Sequence, residues 1–324
     1  MKVLGISAGR VAGNSEILLK TALKAVENEG HEVSFLRLHD YEIKPCTGCE
    51  MCTWLGRSGQ PIHCKYKRDE DDFYSLMQEV DQCQGLILAA PAYHLLPPGL
   101  LGVLVNRLHG FGYSASQANK RAGDPKLRRP VATIGVAGSD WNSLQVPVLN
   151  FYATELICSQ MNLVDQLFIT GTPALGNVAI KPDALERAAL LGKRVASQLG
   201  DSGPVEYLGD RPEACPICHS DVLILKNGRL SCAICDVAGD PEIDENGKIR
   251  KIKWDGGIEV SRFSMFGGKK HDEAMGDAVK KNQKRGYVFT DEDKKIIKEM
   301  REKVNAYLTP IKPTRISEEG KKEE

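Results

Sequence analysis

The chain has 324 residues, of which 42% are hydrophobic and 27% charged, and its 43 basic and 43 acidic side chains give a formal net charge of zero. These values predict a globular protein of one or two domains. The zero net charge excludes an overall positive electrostatic potential that would attract nucleic acid or an anionic membrane. No apolar run is long enough to span a membrane, and no signal-peptide pattern occurs, so a cytoplasmic location is expected. Ten cysteines in that compartment are metal ligands more often than disulfides.

The chain begins with a pattern of strand, loop and helix. Lys2–Ser7 is a short apolar run that predicts a strand, and residues 17–26 have a helical period. The glycine-bearing loop between them directs backbone N–H groups and the helix dipole towards an anion. We expect Asn14 and Ser15 to cap the helix and to bind phosphate oxygens. An ordinary strand-to-helix turn is the alternative reading of this loop.

A second strand is predicted at 32–38, and a cysteine-rich loop, residues 45–68, follows it. Two consecutive C-x-x-C steps place Cys46, Cys49 and Cys52 in one short segment, and Cys64 comes after eleven more residues. Three thiols of one loop fit three corners of an iron-sulfur cubane, with Cys64 as the fourth ligand. A structural zinc site or unliganded thiols are the alternatives, because thiolates suit iron-sulfur clusters and zinc about equally well.

The alternation of strands and helices continues to residue 200. Helices are predicted at 71–83, 99–111, 143–161 and 182–199, and strands at 85–90, 130–136 and 163–170. Five strands alternating with five helices predict an α/β fold with a doubly wound, five-stranded parallel sheet. In the flavodoxin-like order 2-1-3-4-5, the ligand crevice lies at the carboxyl ends of strands one and three.

Flavin mononucleotide (FMN) fits this crevice. The predicted contacts to its phosphate are Ser7, Arg10, Asn14 and Ser15. The predicted contacts to its ring are Pro91, Ala92, Tyr93, His94, Ala137, Gly138, Ser139 and Trp141. Gly138 lets the backbone approach a flat ring, and Tyr93 or Trp141 would stack on it; surface packing is the alternative for these aromatic residues. His94 is a candidate proton donor, and no other side chain has an assigned catalytic role.

Together these residues resemble the NADPH-dependent FMN reductase family, and the cysteine loop resembles that of the iron-sulfur flavoproteins of anaerobes. The matching segments are 5–7, 13–16, 43–46 with Cys49 and Cys52, 71–72, 89–93 and 106–107. The resemblance covers residues 1 to about 200. It implies FMN, a neighbouring 4Fe-4S cluster, NAD(P)H or a ferredoxin-like electron donor, and a homodimer or homotetramer. The family usually has a shorter spacing to the fourth cysteine, and lengthening it from five to eleven residues costs only about 0.7 kcal/mol.

A second cysteine group follows a linker expected at 201–213. Cys215 and Cys218 form one C-x-x-C pair, and Cys232 and Cys235 another, with an Asn-Gly hairpin turn between them. Residues 214–254 therefore predict a four-cysteine ribbon, similar to a zinc ribbon, whose small core depends on a metal ion. Rubredoxin-like knuckles commonly carry glycine directly after each pair, and His219 and Asp236 stand there instead, which favours zinc over a rubredoxin-type iron centre.

The remaining residues, 255–308, predict a loop and two helices, at 269–285 and 290–308, the second capped by Thr290. The composition of the tail, 309–324, predicts disorder. Cys83 and Cys158 are expected to be buried apolar residues.

Three functions stay open from the sequence. The first is an FMN-dependent oxidoreductase that passes electrons between NAD(P)H or a ferredoxin-like donor, FMN and a 4Fe-4S cluster. The second is a cluster-free reductase of quinones, azo or nitro compounds or free flavin, with zinc at both cysteine groups. The third is a non-catalytic flavodoxin-like carrier that docks a redox partner.

Overall fold

The computed structural model describes residues 1–111, 129–140, 145–156, 162–200, 203, 205–210, 215–257, 260–261, 273 and 290–307. The chain divides into two compact units, Met1–Lys269 and Lys270–Glu324. The first unit contains both β-sheets.

The larger sheet has five parallel strands in the order β2-β1-β3-β4-β5. The strands are β1 (Lys2–Ser7), β2 (Glu32–Arg37), β3 (Gly85–Pro91), β4 (Val131–Val136) and β5 (Leu163–Ile169). In the register of the central strand, Gly5 lies opposite Phe35 on one side and Ile87 on the other. The predicted doubly wound sheet and its strand order are confirmed, and each strand ends within one residue of its predicted limits.

Helices cover both faces of this sheet. They are α1 (Asn14–Asn28), α2 (Met51–Arg57), α3 (Phe73–Gln82), α4 (Gly99–Val105), α5 (Leu108–Phe111), α6 (Gln145–Leu156) and α7 (Pro182–Ser197). Along β3, Leu86 and Leu88 pack into a core with α3, α4 and α6, while Ile87 and Ala89 pack into a second core with α1 and α7. This alternation is what a strand covered on both faces requires.

Two helical features differ from the sequence prediction. The helix predicted at 99–111 is divided into α4 and α5, because Arg107 between them is drawn into a buried ion pair with Asp71. Helix α2 lies within the cysteine loop and was not predicted. It begins after Glu50, whose φ of 57° lies in the left-handed region, and among residues 51–56 Leu55 is the one in the buried core. So short a segment with one core side chain carries no helical period.

The smaller sheet is antiparallel, in the order β6-β7-β8-β9. Its strands are β6 (Leu223–Lys226), β7 (Arg229–Cys232), β8 (Ala238–Ile243) and β9 (Ile249–Trp254). Asn227 and Gly228 have φ values of 55° and 77°, which fit the predicted two-residue hairpin turn. Within the predicted linker, the N–H of Leu208 donates to the carbonyl of Val164 (2.7 Å), so residues 205–208 pack on the larger sheet. The predicted domain limits themselves stay predictions.

In the second unit, the described helix is α8 (Asp291–Tyr307). The N–H of Asp293 donates to Oγ1 of Thr290 (3.1 Å), and the N–H of Thr290 donates to Oδ2 of Asp293 (3.0 Å). This reciprocal capping confirms the predicted N-terminus. The helix predicted at 269–285, apart from Glu273, the tail and Cys158 all lie outside the described residues. Among the described helices, none has the length and hydropathy needed to cross a bilayer.

Candidate functional site

A cleft of about 310 Å³ opens where β1, β3 and β4 end, and this volume lies at the lower end of the roughly 300–1,000 Å³ usual for ligand pockets. Backbone hydrogen bonds continue the sheet into the loops around it, from Ala92 to Val136 and from Ala137 to Ile169, each 2.8 Å long. The lining residues are Arg10, Gly13, Asn14, Ser15, Pro91, Ala92, Tyr93, Val136, Ala137, Gly138, Thr172 and Pro173. The cleft therefore occupies the predicted position in a doubly wound sheet.

One end of the cleft is the N-terminus of α1. Gly13 holds the N-cap position, and no side chain caps the helix there, so the prediction that Asn14 and Ser15 cap it is wrong. The amide of Asn14 instead donates to two carbonyls of loop 172–174 (3.0 and 2.9 Å) and accepts from the N–H of Val178 (3.2 Å). Among the described residues, no side chain accepts from the first N–H groups of α1, and together with the helix dipole these groups fit a phosphate.

Ser15 and Gly9 are in close contact at this end. Ser15 is almost fully buried, and a Cβ placed on Gly9 would lie 2.2 Å from its Oγ. The N–H of Gly9 donates to Oγ of Ser7 (3.3 Å). Ser7 is buried and does not line the cleft, so it holds the loop in place, whereas Arg10 is exposed.

The other end of the cleft is bordered by a tight turn. Tyr93 and Leu96 exchange two backbone hydrogen bonds (2.8 and 3.1 Å). The residues between them, His94 and Leu95, have φ values of 48° and 68°, a conformation that such turns usually give to glycine or asparagine. Strain of this kind concentrates at functional sites. The turn exposes Tyr93, Leu95 and Leu96 by nearly half and so forms an apolar lip, defined as residues 93–96.

Of the twelve predicted FMN contacts, eight line the cleft: Arg10, Asn14, Ser15, Pro91, Ala92, Tyr93, Ala137 and Gly138. Ser7, His94 and Ser139 do not line it, and Trp141 lies outside the described residues. Sequence reasoning missed Gly13, Thr172 and Pro173. Thr172 and Pro173 follow β5 in a Gly-Thr-Pro turn, whose position after a predicted strand was an available signal.

A second, smaller cavity is lined by all four cysteines of the loop, Cys46, Cys49, Cys52 and Cys64. The first two are exposed and the other two half-buried. The N–H of Cys64 donates to Oη of Tyr74 (2.9 Å), and a Cβ on Gly110 would lie 2.8 Å from Cβ of Cys64. Gly110 therefore leaves the room that Cys64 occupies. Hydrogen bonding from the Met51 backbone lowers the pKa of Cys49, which favours the thiolate needed for metal binding.

The spacing of these four thiols bears on what they hold. All four are described residues, and no three of them bring their sulfur atoms within 4.8 Å of one another. Tetrahedral zinc, with bonds of about 2.3 Å, sets its sulfur ligands about 3.8 Å apart. A cubane binds each thiolate at a separate iron atom, so the sulfur atoms of its ligands lie farther apart than those around a single ion. Four thiols that line one cavity therefore fit a cluster.

The cysteines of the ribbon have a different geometry. Cys215, Cys218, Cys232 and Cys235 are wholly buried, and their sulfur atoms all lie within 4.8 Å of one another. After each pair comes a residue with left-handed backbone, His219 (φ 54°) or Asp236 (φ 63°), at the places where similar knuckles carry glycine. The N–H groups of these two residues donate to the carbonyls of Cys215 and Cys232 (2.9 and 3.0 Å). This geometry fits one tetrahedral metal ion.

Comparison with known proteins gives three kinds of match. Residues 1–148 match the family described as NADPH-dependent FMN reductase. An iron-sulfur flavoprotein of Methanocaldococcus jannaschii is 36% identical over 124 residues, 38% of this chain and 60% of that protein, so the chain spans less than two thirds of this relative. A flavone synthase of Aspergillus candidus is 24% identical over 293 residues, 84% of this chain and 87% of that protein. The solved structure of a flavone reductase has a TM-score of 0.72 at 20% identity and covers 97% of this chain and 100% of its own, which shows a shared fold.

The strand order, the uncapped helix beside the cleft and the sequence match all concern the same N-terminal residues. They confirm the resemblance inferred from the motifs. Over residues 1–148, which form most of its N-terminal sheet domain, this chain matches the NADPH-dependent FMN reductase family.

Proposed function

We propose that the protein is an FMN-dependent oxidoreductase that exchanges electrons between NAD(P)H or a ferredoxin-like donor and a 4Fe-4S cluster held by Cys46, Cys49, Cys52 and Cys64. The observation that carries the proposal is the single cavity that these four thiols line. It lies in the same compact unit as the cleft. FMN, when bound, couples two-electron hydride transfer to single-electron transfer, which is the chemistry such a pairing needs.

The residues around the cleft have separate tasks in this proposal. The first turn of α1 and the hydroxyl of Ser15 bind the phosphate, and Arg10 adds a positive charge at the mouth. The backbone of Gly138, which lines the cleft, would approach the ring closely because glycine has no side chain. The apolar lip, residues 93–96, shields part of the ring from water and offers an apolar surface to a nicotinamide or an aromatic acceptor.

We further propose that the ribbon holds structural zinc. Its four buried thiols, with pairs of sulfur atoms 3.3 Å apart, support a single closed ion site. A homodimer or homotetramer and a cytoplasmic location belong to the same proposal and are supported by the family alone. The match to a family of reductases weighs against the non-catalytic carrier.

The test is metal and flavin analysis of protein purified without oxygen. We expect about one FMN, four iron, four acid-labile sulfide and one zinc per chain. Cys64→Ser should lose most of the iron. The matched control is Cys83→Ser, because Cys83 is buried and donates to the carbonyl of Val80 (3.1 Å), a bond that serine preserves. Protein with bound FMN, intact thiols and no iron would refute the cluster.

A second candidate is a cluster-free FMN reductase whose acceptor belongs to the chemical class of the flavones. The observation that favours it is that the relatives matching almost the whole chain bear the names flavone reductase and flavone synthase. It predicts anaerobic oxidation of NADH or NADPH that depends on an added flavone. It also predicts that Cys46→Ser and Cys49→Ser leave this rate unchanged, whereas a cluster that relays electrons predicts loss of activity with ferredoxin-like donors.

A further inference from the structure

Arg107 is a charged side chain in the wall of the four-thiol cavity. Its side chain has no solvent exposure, and it lies between α4 and α5. Nη1 donates to the carboxylate of Asp71 and to the carbonyl of Lys44 (3.2 Å). Its Nε and Nη2 groups are buried and have no hydrogen-bond partner among the residues that the structure describes.

The surroundings of the guanidinium restrict where an acceptor could lie. The central carbon is 4.2 Å from the ring centroid of Phe73 and 5.0 Å from that of Tyr66, so aromatic rings pack against the group. The edge of the guanidinium plane that carries Nε and Nη2 is the part without a hydrogen-bond partner among the described residues. Because Arg107 lines the cavity together with the four cysteines, an acceptor inside that cavity is within its reach.

The energetics require such an acceptor. A buried donor without a partner destabilises the folded protein, and a charged donor does so more strongly. The cavity wall supplies the sulfur atoms of four thiols, the exposed carboxylate of Glu50 and the polar side chains of Thr47, Tyr66 and Asn106, and none of these bonds to Nε or Nη2. A cluster with four thiolates would bring a net negative charge and several sulfur acceptors to the unpaired edge.

We propose that Arg107 donates hydrogen bonds from Nε and Nη2 to sulfur atoms of the cluster and thereby raises its reduction potential. The inference rests on the proposed function, since it assumes that the cluster is present. One-electron reduction adds one negative charge to the cluster, so a nearby cation and hydrogen bonds to sulfur stabilise the reduced form more than the oxidised form. Arg107 is thus a positioning and tuning residue that takes no part in bond making.

The experiment is a redox titration of anaerobically purified protein, followed by the paramagnetic signal of the reduced cluster, on wild type and three variants. Arg107→Lys keeps the charge but cannot supply the planar edge; at a fixed potential its ratio of reduced to oxidised cluster should fall at least tenfold, which is about 59 mV for one electron. Asp71→Asn removes the neighbouring negative charge and should shift the potential upward. Arg187→Lys is the control, because Arg187 of α7 also forms a partly buried ion pair, with Asp165 of β5. Helix α7 packs on the opposite face of the sheet.

Opposite shifts in the first two variants, with the control unchanged, support the proposal, because structural damage alone would not give opposite signs. If the Arg107→Lys protein does not accumulate, the reduction potential of Asp71→Asn tests the proposal. An upward shift supports it, and an unchanged potential overturns it. Wild-type potentials in both variants, with four iron per chain, would overturn the role of Arg107 alone. Wild-type protein without iron would overturn the role of Arg107 together with the proposed cluster.

Discussion

Gly9→Ala should weaken FMN binding while leaving the fold intact. The new Cβ would lie 2.2 Å from Oγ of Ser15, and the next atom, Cδ of Pro91, is at an ordinary 3.4 Å. The hydroxyl must therefore rotate to another rotamer, and no backbone atom has to move. Gly9 has no positive φ that would oppose alanine. The substitution thus acts on one hydroxyl beside the uncapped helix.

The expected magnitude follows from the bond that is lost. A hydrogen bond to a charged group contributes about 1.5–3 kcal/mol, so the Kd for FMN should rise roughly 10- to 150-fold. The assay is titration of apoprotein with FMN, followed by quenching of flavin fluorescence, with thermal unfolding to show that the fold is kept.

A double-mutant cycle isolates the mechanism. If Gly9→Ala acts through the Ser15 hydroxyl, the double variant with Ser15→Ala should bind FMN no more weakly than Ser15→Ala alone. Wild-type affinity in Gly9→Ala, or additive losses in the double variant, would refute the reasoning.

Three further predictions concern stability. Cys218→Ser should lose about one metal ion per chain and lower the melting temperature without loss of FMN, as metal analysis and calorimetry would show. Gly192→Ala should lower the free energy of unfolding by about 1–3 kcal/mol, because its Cβ would lie 2.1 Å from a carbonyl oxygen of α1. Gly99→Ala is the control, since its Cβ would have nothing within 4 Å. Equal urea midpoints for the two variants would contradict this prediction. Burial alone would raise the pKa of Glu16, but hydrogen bonds from Arg37 and Lys20 hold it below its usual value. The contribution of Glu16 to the free energy of unfolding is therefore complete above about pH 4.5 and is lost as the pH falls through the lower pKa of the folded state. Urea titrations at several pH values should show that Glu16→Gln loses less stability on acidification than the wild type does.

The larger sheet was predictable because its signals are local. Each strand is a short apolar run bounded by polar, glycine or proline residues, and the order follows from the rules for doubly wound sheets. The predicted strand Lys2–Ser7 agrees with the observed one at both ends. Local signals were also sufficient for the Asn227–Gly228 turn and for the Thr290 cap.

The parts that were missed depend on contacts between distant residues. Asn14 was expected to cap its own helix, but its amide binds a loop about 160 residues away in the sequence. Arg107 divides a predicted helix because Asp71, 36 residues earlier, binds it. A helix-capping or helical pattern describes neighbours in sequence, so it contains no information on either partner.

The two cysteine groups differ in ways that spacing in the sequence only partly indicates. The loop thiols are exposed or half-buried and set apart from one another, whereas those of the ribbon are wholly buried and within 4.8 Å of one another. A buried, compact group suits a permanent ion, and an accessible, wider group suits a centre that exchanges electrons with a partner.

Contacts between the ribbon and the sheet support a structural role for the ribbon. A buried polar chain leads from Thr133 on β4 through Asn150 on α6 to Gln166 on β5. Nε2 of Gln166 then donates to Oη of Tyr207 (2.9 Å) and to the carbonyl of His219 in the first knuckle (2.8 Å). Detachment of the ribbon would break the bond from Gln166 to His219, at a cost of about 1–3 kcal/mol. A metal ion bound by the ribbon would therefore also stabilise the strands β4 and β5, from whose ends one wall of the cleft is built.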